Sequence, residues 1–200
     1  MSNVMNRSVN KTLQSFTTME IVLMALLATA NAVMTMYLSG VNQLLSSIGG
    51  PIMTSSITGL YMIYGLLAYY IIRKPGTAVI TYALGALVQC FVGTSYGIAS
   101  ALAAAFCYMV VAELIFGLLR YRRWSMGVMM LVGGAMVPIW FLVAIQMFGY
   151  SKWGITVLGI AMIVRIASGV ILCGMLTVIF GKAIGKTGLL RRFAAFSRER

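Results

Sequence analysis

The chain has 200 residues, of which 61% are hydrophobic and 9% charged, with a mean hydropathy of +0.97. Fifteen Lys and Arg stand against three acids, for a net charge of +12. A soluble domain of this length has too little interior to hide so much apolar surface, so the excess must face lipid. The bases sit between apolar runs, which argues against a nucleic-acid partner.

The acids are Glu20, Glu113 and Glu199; there is no Asp and no His. Cys90, Cys107 and Cys173 each lie inside an apolar run without a C-x-x-C pair. Such cysteines act as small hydrophobes, so neither a disulfide framework nor a metal site is expected. No nucleotide, dinucleotide or metal motif is present, and no cofactor is expected. With so few carboxylates, no acid/base pair for catalysis presents itself either. The first apolar run is followed by further membrane segments, so it does not read as a cleavable signal peptide.

A membrane-spanning helix needs about 20 apolar residues. Taken in chain order, the runs predict helices at about 18–38, 57–72, 76–93, 98–119, 126–148 and 155–180. Thr17 and Glu20, three apart ahead of the first run, fit a capping box. That helix carries Ala25, Ala28 and Ala32; the Ala28–Ala32 step would let another backbone approach closely, within this chain or from a separate subunit. The connection 39–58 has no charge and is rich in Ser, Gly, Asn and Thr. It reads as a lid over an outward-facing pocket, since long loops are often functional. Pro75 and Gly76 end the second helix. Pro138 is expected to kink the fifth. The tail 181–200 is basic, and Leu189, Leu190, Phe193 and Phe196 recur at helical spacing, as in a short helix lying on the inner membrane face.

The cations fix the topology. Arg7 and Lys11 precede the first helix, and Arg73 and Lys74 follow the second. Arg120, Arg122 and Arg123 follow the fourth; six more bases follow the sixth. The opposite end carries only Lys152, and Arg165 lies within a helix. Bases concentrate on the cytoplasmic side. The expectation is therefore an all-α integral membrane protein, one domain over 1–200, with six transmembrane helices and both termini cytoplasmic.

Two ionisable groups fall inside the spans. Arg165 is about ten residues into the sixth helix, roughly 15 Å deep by the helical rise. A guanidinium at that depth is costly unless paired or wetted. Glu113 in the fourth helix is the available acid, so an Arg165–Glu113 ion pair is expected; the rival arrangement turns Arg165 to a partner or an inner cavity, and Glu113 toward Arg120 or Arg122. Toward the outer half lie Asn31, Gln89, Tyr96, Trp140, Gln146 and Trp153, with Tyr82 and Tyr108 deeper. Tyr150 and Trp153 also suit plain interface anchoring. Rings that stack and amides that hydrogen-bond suit a flat, partly polar heterocycle. The candidate substrate contacts are Asn31, Ser55, Tyr61, Tyr82, Gln89, Tyr96, Tyr108 and Trp140.

In order and spacing, GPI at 50–52, IIRKPG at 71–76, ALVQCFVG at 86–93, AELIF at 112–116 and IVRIASGVILCG at 163–174 resemble one family. It is that of the YkoE-like substrate-binding (S) components of energy-coupling factor (ECF) vitamin transporters. The resemblance implies a six-helix protein of the bacterial plasma membrane. It would capture thiamine, its hydroxymethylpyrimidine precursor or a related heterocycle from outside. It would deliver that ligand through a transmembrane coupling protein bearing two cytoplasmic ATPases, with Ala28 and Ala32 contacting the coupling protein. The sequence departs from the YkoE-like pattern where that pattern tends to carry carboxylates: Ser55, Tyr82 and Gln89 are neutral. A buried thiazolium needs a nearby anion or π-face, so a neutral pyrimidine becomes as good a candidate as thiamine. The competing readings are a self-sufficient ion-coupled carrier and a non-transporting assembly subunit.

Overall fold

The computed structural model describes residues 16–94, 96–187, 193 and 195. Among these, every regular element is helical: α1 (Thr18–Ser55), a 3-10 turn (Thr58–Tyr61), α2 (Ile63–Ile72), α3 (Thr77–Val92), α4 (Ile98–Leu118), α5 (Met126–Met147), α6 (Ile155–Ser168), a π-helical stretch (Gly169–Met175) and α7 (Leu176–Lys186). The last three form one continuous rod, Ile155–Lys186. Four helices are long and apolar enough to cross a membrane, and α2 and α3 are shorter apolar helices. The protein is an all-α membrane protein with six helical passes.

The α1 helix starts where its capping residues dictate. The Glu20 amide donates to Thr17 Oγ1 at 3.3 Å, and the Thr17 amide donates to Glu20 Oε2 at 2.8 Å. The two bonds satisfy orphan donors at both residues. The far end corrects the expectation of a loop over 39–58, whose residues Asn42, Thr54 and Thr58 nonetheless border a cavity. The helix continues past Ser39 and breaks only at Gly49 (φ −144°, ψ 19°) and Gly50 (φ 56°, ψ −143°). Gly50 holds a backbone conformation open essentially to glycine alone. Helical backbone then resumes from Pro51 to Ser55. From Thr18 to Ile48 the unbroken helix is about 46 Å long, more than a bilayer core of roughly 30 Å. Val41, Leu44 and Ile48 are exposed along this extension, and that apolar face is why the segment stays helical despite its Ser and Gly content.

The α2 helix is apolar all round and buried at every one of its ten residues, as expected of a helix wrapped by the others. Its core contacts rest on glycines that admit rings. A side chain on Gly65 would run into the Tyr82 ring, and one on Gly85 into the Tyr64 ring, so α2 and α3 interlock. On the other flank, Gly133 of α5 meets Gly169 backbone to backbone, and Gly174 lies against the backbone of Met130. Small residues permit this close crossing, which in lipid supplies much of the packing energy.

Ala28 and Ala32, expected at the coupling protein, are 0% and 1% exposed, on the side of α1 that packs within the bundle, chiefly on α3. In this structure the A-x-x-x-A step brings two helices of this chain together.

The turn between α2 and α3 has the form its sequence requires. Arg73 ends α2 in the left-handed region (φ 58°), and Gly76 follows at φ 83°. Lys74 Nζ forms an ion pair with Glu20 Oε2 at 2.7 Å, tying this turn to the start of α1. Most of the expected tail helix lies outside the described residues. Of its residues, Phe193 is buried in a cluster with Met24, Leu67, Ala68, Ile71 and Ile72, and the Ala195 amide donates to the Ile71 carbonyl at 3.3 Å.

Candidate substrate pocket

A cavity of about 780 Å³, counted to its open mouth, lies between the helices. Its mouth is at the end of the bundle opposite the Arg73–Lys74 turn. The α3–α4 connection supplies Thr94 and Tyr96, and the α5–α6 connection supplies Tyr150. Both connections are on the charge-poor side of the topology.

Five of the eight expected substrate contacts line this cavity: Tyr61, Gln89, Tyr96, Tyr108 and Trp140. Tyr61 and Tyr96 meet hydroxyl to hydroxyl at 3.0 Å, with their rings edge-to-face at 6.0 Å. Tyr96 also sits edge-on to Phe148 at 6.1 Å. Deeper in, Tyr108 and Trp140 stand edge-to-face at 6.2 Å. The arrangement is an aromatic box whose members brace one another, leaving ring faces for a flat guest. Burial raises the pKa of the Tyr96 hydroxyl, partly offset by its bond to Tyr61, so the phenol stays neutral at physiological pH. Gln89 lines the box with no hydrogen-bond partner among the described residues.

The other three expected contacts lie behind the wall. Tyr82 is fully buried, donates its hydroxyl to the Met62 carbonyl at 2.8 Å and packs beneath Tyr108 at 5.6 Å. It supports a lining ring instead of touching the cavity. Asn31 is buried and donates to Thr35 Oγ1 at 3.4 Å; its Oδ1 has no partner among the described residues. Thr35, one helical turn on, is the residue of that pair that reaches the cavity. Ser55 accepts a hydrogen bond from Arg165 Nε at 2.9 Å, so its contribution is to aim the guanidinium.

The expected Arg165–Glu113 ion pair is not formed. Glu113 Oε2 accepts from the Tyr69 hydroxyl at 2.8 Å and the Tyr121 hydroxyl at 2.9 Å. Two phenols drawn to its own end of the bundle satisfy that oxygen. Arg165 is 6% exposed, lines the cavity, and lies over the rings of Phe141 at 4.5 Å and Tyr150 at 5.8 Å. Stacking on π-faces is a known way to hold a guanidinium. Sequence reasoning therefore missed Arg165 as a pocket residue. It also placed Tyr150 at the membrane interface, where the structure turns it onto the cavity. Thr35 was findable, four residues after Asn31 and so on the same helical face.

These features belong to a membrane transporter subunit. Residues 19–140 match the family described as the permease component of the ABC-type cobalt transport system, and the chain belongs to that family. It is an S component of the ECF transporter class and not an enzyme. Over 182 residues, 91% of each chain, it is 29% identical to the Bacillus subtilis (strain 168) protein named "Putative HMP/thiamine permease protein YkoE". Its fold superposes on the crystal structure of an S component of an ECF transporter with a TM-score of 0.84. That match has 29% identity and covers 90% of this chain and 91% of the other. A multi-pass location in the bacterial plasma membrane follows.

Proposed function

We propose that this S component captures thiamine, its hydroxymethylpyrimidine precursor or a related flat heterocycle from outside, and passes it inward through a coupling protein driven by two ATPases. The observation that carries the reading is the aromatic box of Tyr61, Tyr96, Tyr108 and Trp140, open toward the charge-poor end of the bundle with Gln89 on its wall. A planar ring stacks between such walls and an amide reads its edge. The B. subtilis relative is named for the same class of ligand.

Cobalt, which the family description mentions, does not suit this pocket as cargo. Divalent cobalt prefers imidazole, thiolate or carboxylate donors. The cavity is lined by none of these, and among the described residues no group of three or more His, Cys, Asp or Glu comes together. Of the neutral positions 55, 82 and 89, Gln89 is the one on the cavity wall; an amide there offers a thiazolium no counter-charge, which keeps a neutral pyrimidine as good a candidate as thiamine.

The test is native mass spectrometry of gently purified protein, followed by titration with thiamine, hydroxymethylpyrimidine and unrelated vitamins. A tightly held pyrimidine or thiamine that travels with the protein is the expected result. A folded protein that binds none of the panel overturns the proposal. Co-purification with an ATPase-bearing complex tests the delivery step separately.

A further inference from the structure

The electrostatics of the pocket wall are one-sided. Arg165 is the one ionic side chain among the described lining residues; the others are hydroxyls, amides, rings and alanines. The acids that might have balanced it are engaged elsewhere: Glu20 with Lys74, Glu113 with Tyr69 and Tyr121. The Arg165 Nε bond goes to Ser55, a neutral hydroxyl, and the planes nearest the guanidinium are the rings of Phe141 and Tyr150. Burying an isolated cation in a low-dielectric interior is expensive, and a counter-charge is what relieves it. Among the described residues no carboxylate is there to supply one.

We infer that the ligand supplies it: the pocket takes a flat heterocycle bearing an acidic oxygen group, carboxylate or phosphate, that pairs with Arg165. This rests on the heterocycle reading above and narrows it by charge. A planar guanidinium held by Ser55 at Nε and in hydrogen-bonding contact with the Tyr150 side chain still presents a fork of N–H donors, the two-pronged geometry with which arginine meets an oxyanion. The same charge repels a cationic ring. The Phe141 and Tyr150 faces, which otherwise would attract such a ring, already stack on Arg165. Arg165 is thus the specificity-determining residue for ligand charge, and the aromatic box sets ligand shape.

The experiment is calorimetric titration of the purified full-length protein with a ring-matched series. It comprises 4-amino-2-methylpyrimidine bearing a neutral hydroxymethyl, a carboxylate or a phosphomethyl group, together with cationic thiamine. The expected order has one of the acidic forms at least about tenfold tighter than the neutral one, and thiamine weakest, as for a charge-assisted hydrogen bond to the acidic group. Which acidic form leads separates carboxylate from phosphate. Arg165→Gln removes the acid preference, read as the ratio of acidic to neutral affinity within that variant; Arg165→Lys keeps the sign of the preference and lowers its size. If Arg165→Gln does not fold, the Lys variant and the wild-type order decide. Equal affinity across the series, or thiamine tightest, overturns the inference and leaves the heterocycle reading standing. Absence of binding to every member overturns both.

Discussion

The two ends of this bundle treat charge in opposite ways. At the end bearing Arg73, Lys74 and Arg120, acids are used for structure. Glu20 closes a capping box and pairs with Lys74, and Glu113 gathers the hydroxyls of Tyr69 and Tyr121. Beside it, Tyr69, Phe116 and Trp124 stack with centroids 4.5–5.6 Å apart. At the other end the rings stand edge-on around a void, and the one buried cation is answered by a serine and two ring faces. Stacked rings fill space; edge-to-face rings frame it. The first end is built for cohesion, and the second leaves polar groups facing an opening.

The comparison breaks most visibly where it is most rigid. Gly174→Leu should cost about 3 kcal/mol or more, because the added side chain meets the backbone of Met130 and not a movable group. Unfolding in mixed micelles by denaturant measures it, and stability close to wild type would mean the α5 crossing is loose. Glu113→Gln should cost on the order of 2 kcal/mol through weaker hydrogen bonds from two phenols. It should leave ligand affinity unchanged; a loss of binding would erase the division between the two ends. Glu20→Gln, which removes an ion pair of partly exposed side chains (19% and 8%) and weakens a cap, should cost about 1 kcal/mol. Trp140→Ala is the converse probe: affinity for a flat ligand should fall about fivefold through lost ring contact of roughly 1 kcal/mol. The smallest effect concerns sidedness, read without energetic change. A single cysteine at 152 should react with an impermeant maleimide on intact cells, and one at 122 only after lysis; reversed labelling would turn the pocket inward.

Much of this was legible in the sequence. The third helix, expected over 76–93, stands at Thr77–Val92, and the fifth, expected over 126–148, stands at Met126–Met147. Apolar run length and the Pro-Gly punctuation set these ends, and both act locally. What failed depended on direction and environment. The Ser39–Ile48 stretch was read as loop because its Ser, Gly and Asn content penalises a helix in water, but the structure continues α1 through it, with Val41, Leu44 and Ile48 exposed on its surface. The Ala28–Ala32 spacing announced close approach without saying to what. Arg165 and Glu113 were paired by depth along the helices, and depth says nothing of azimuth. The ring-bearing pocket residues were easier to find, since an aromatic near the outer end of a helix has few alternatives to a cavity or the interface. Tyr150 shows that even this choice needs coordinates.

The π-helical stretch at Gly169–Met175 has a consequence for everything after it. Closing its hydrogen bonds over five residues instead of four delays the winding by roughly one position, about 100° of rotation in an α-helix. The delay acts as a phase adjuster. Upstream, the rod presents Arg165 to the outer void; downstream, Gly181 receives the Tyr70 ring. A uniformly wound rod in the same place would satisfy only one of these appointments, so the widened turn is what lets a single helix serve the guest at one end and the scaffold at the other.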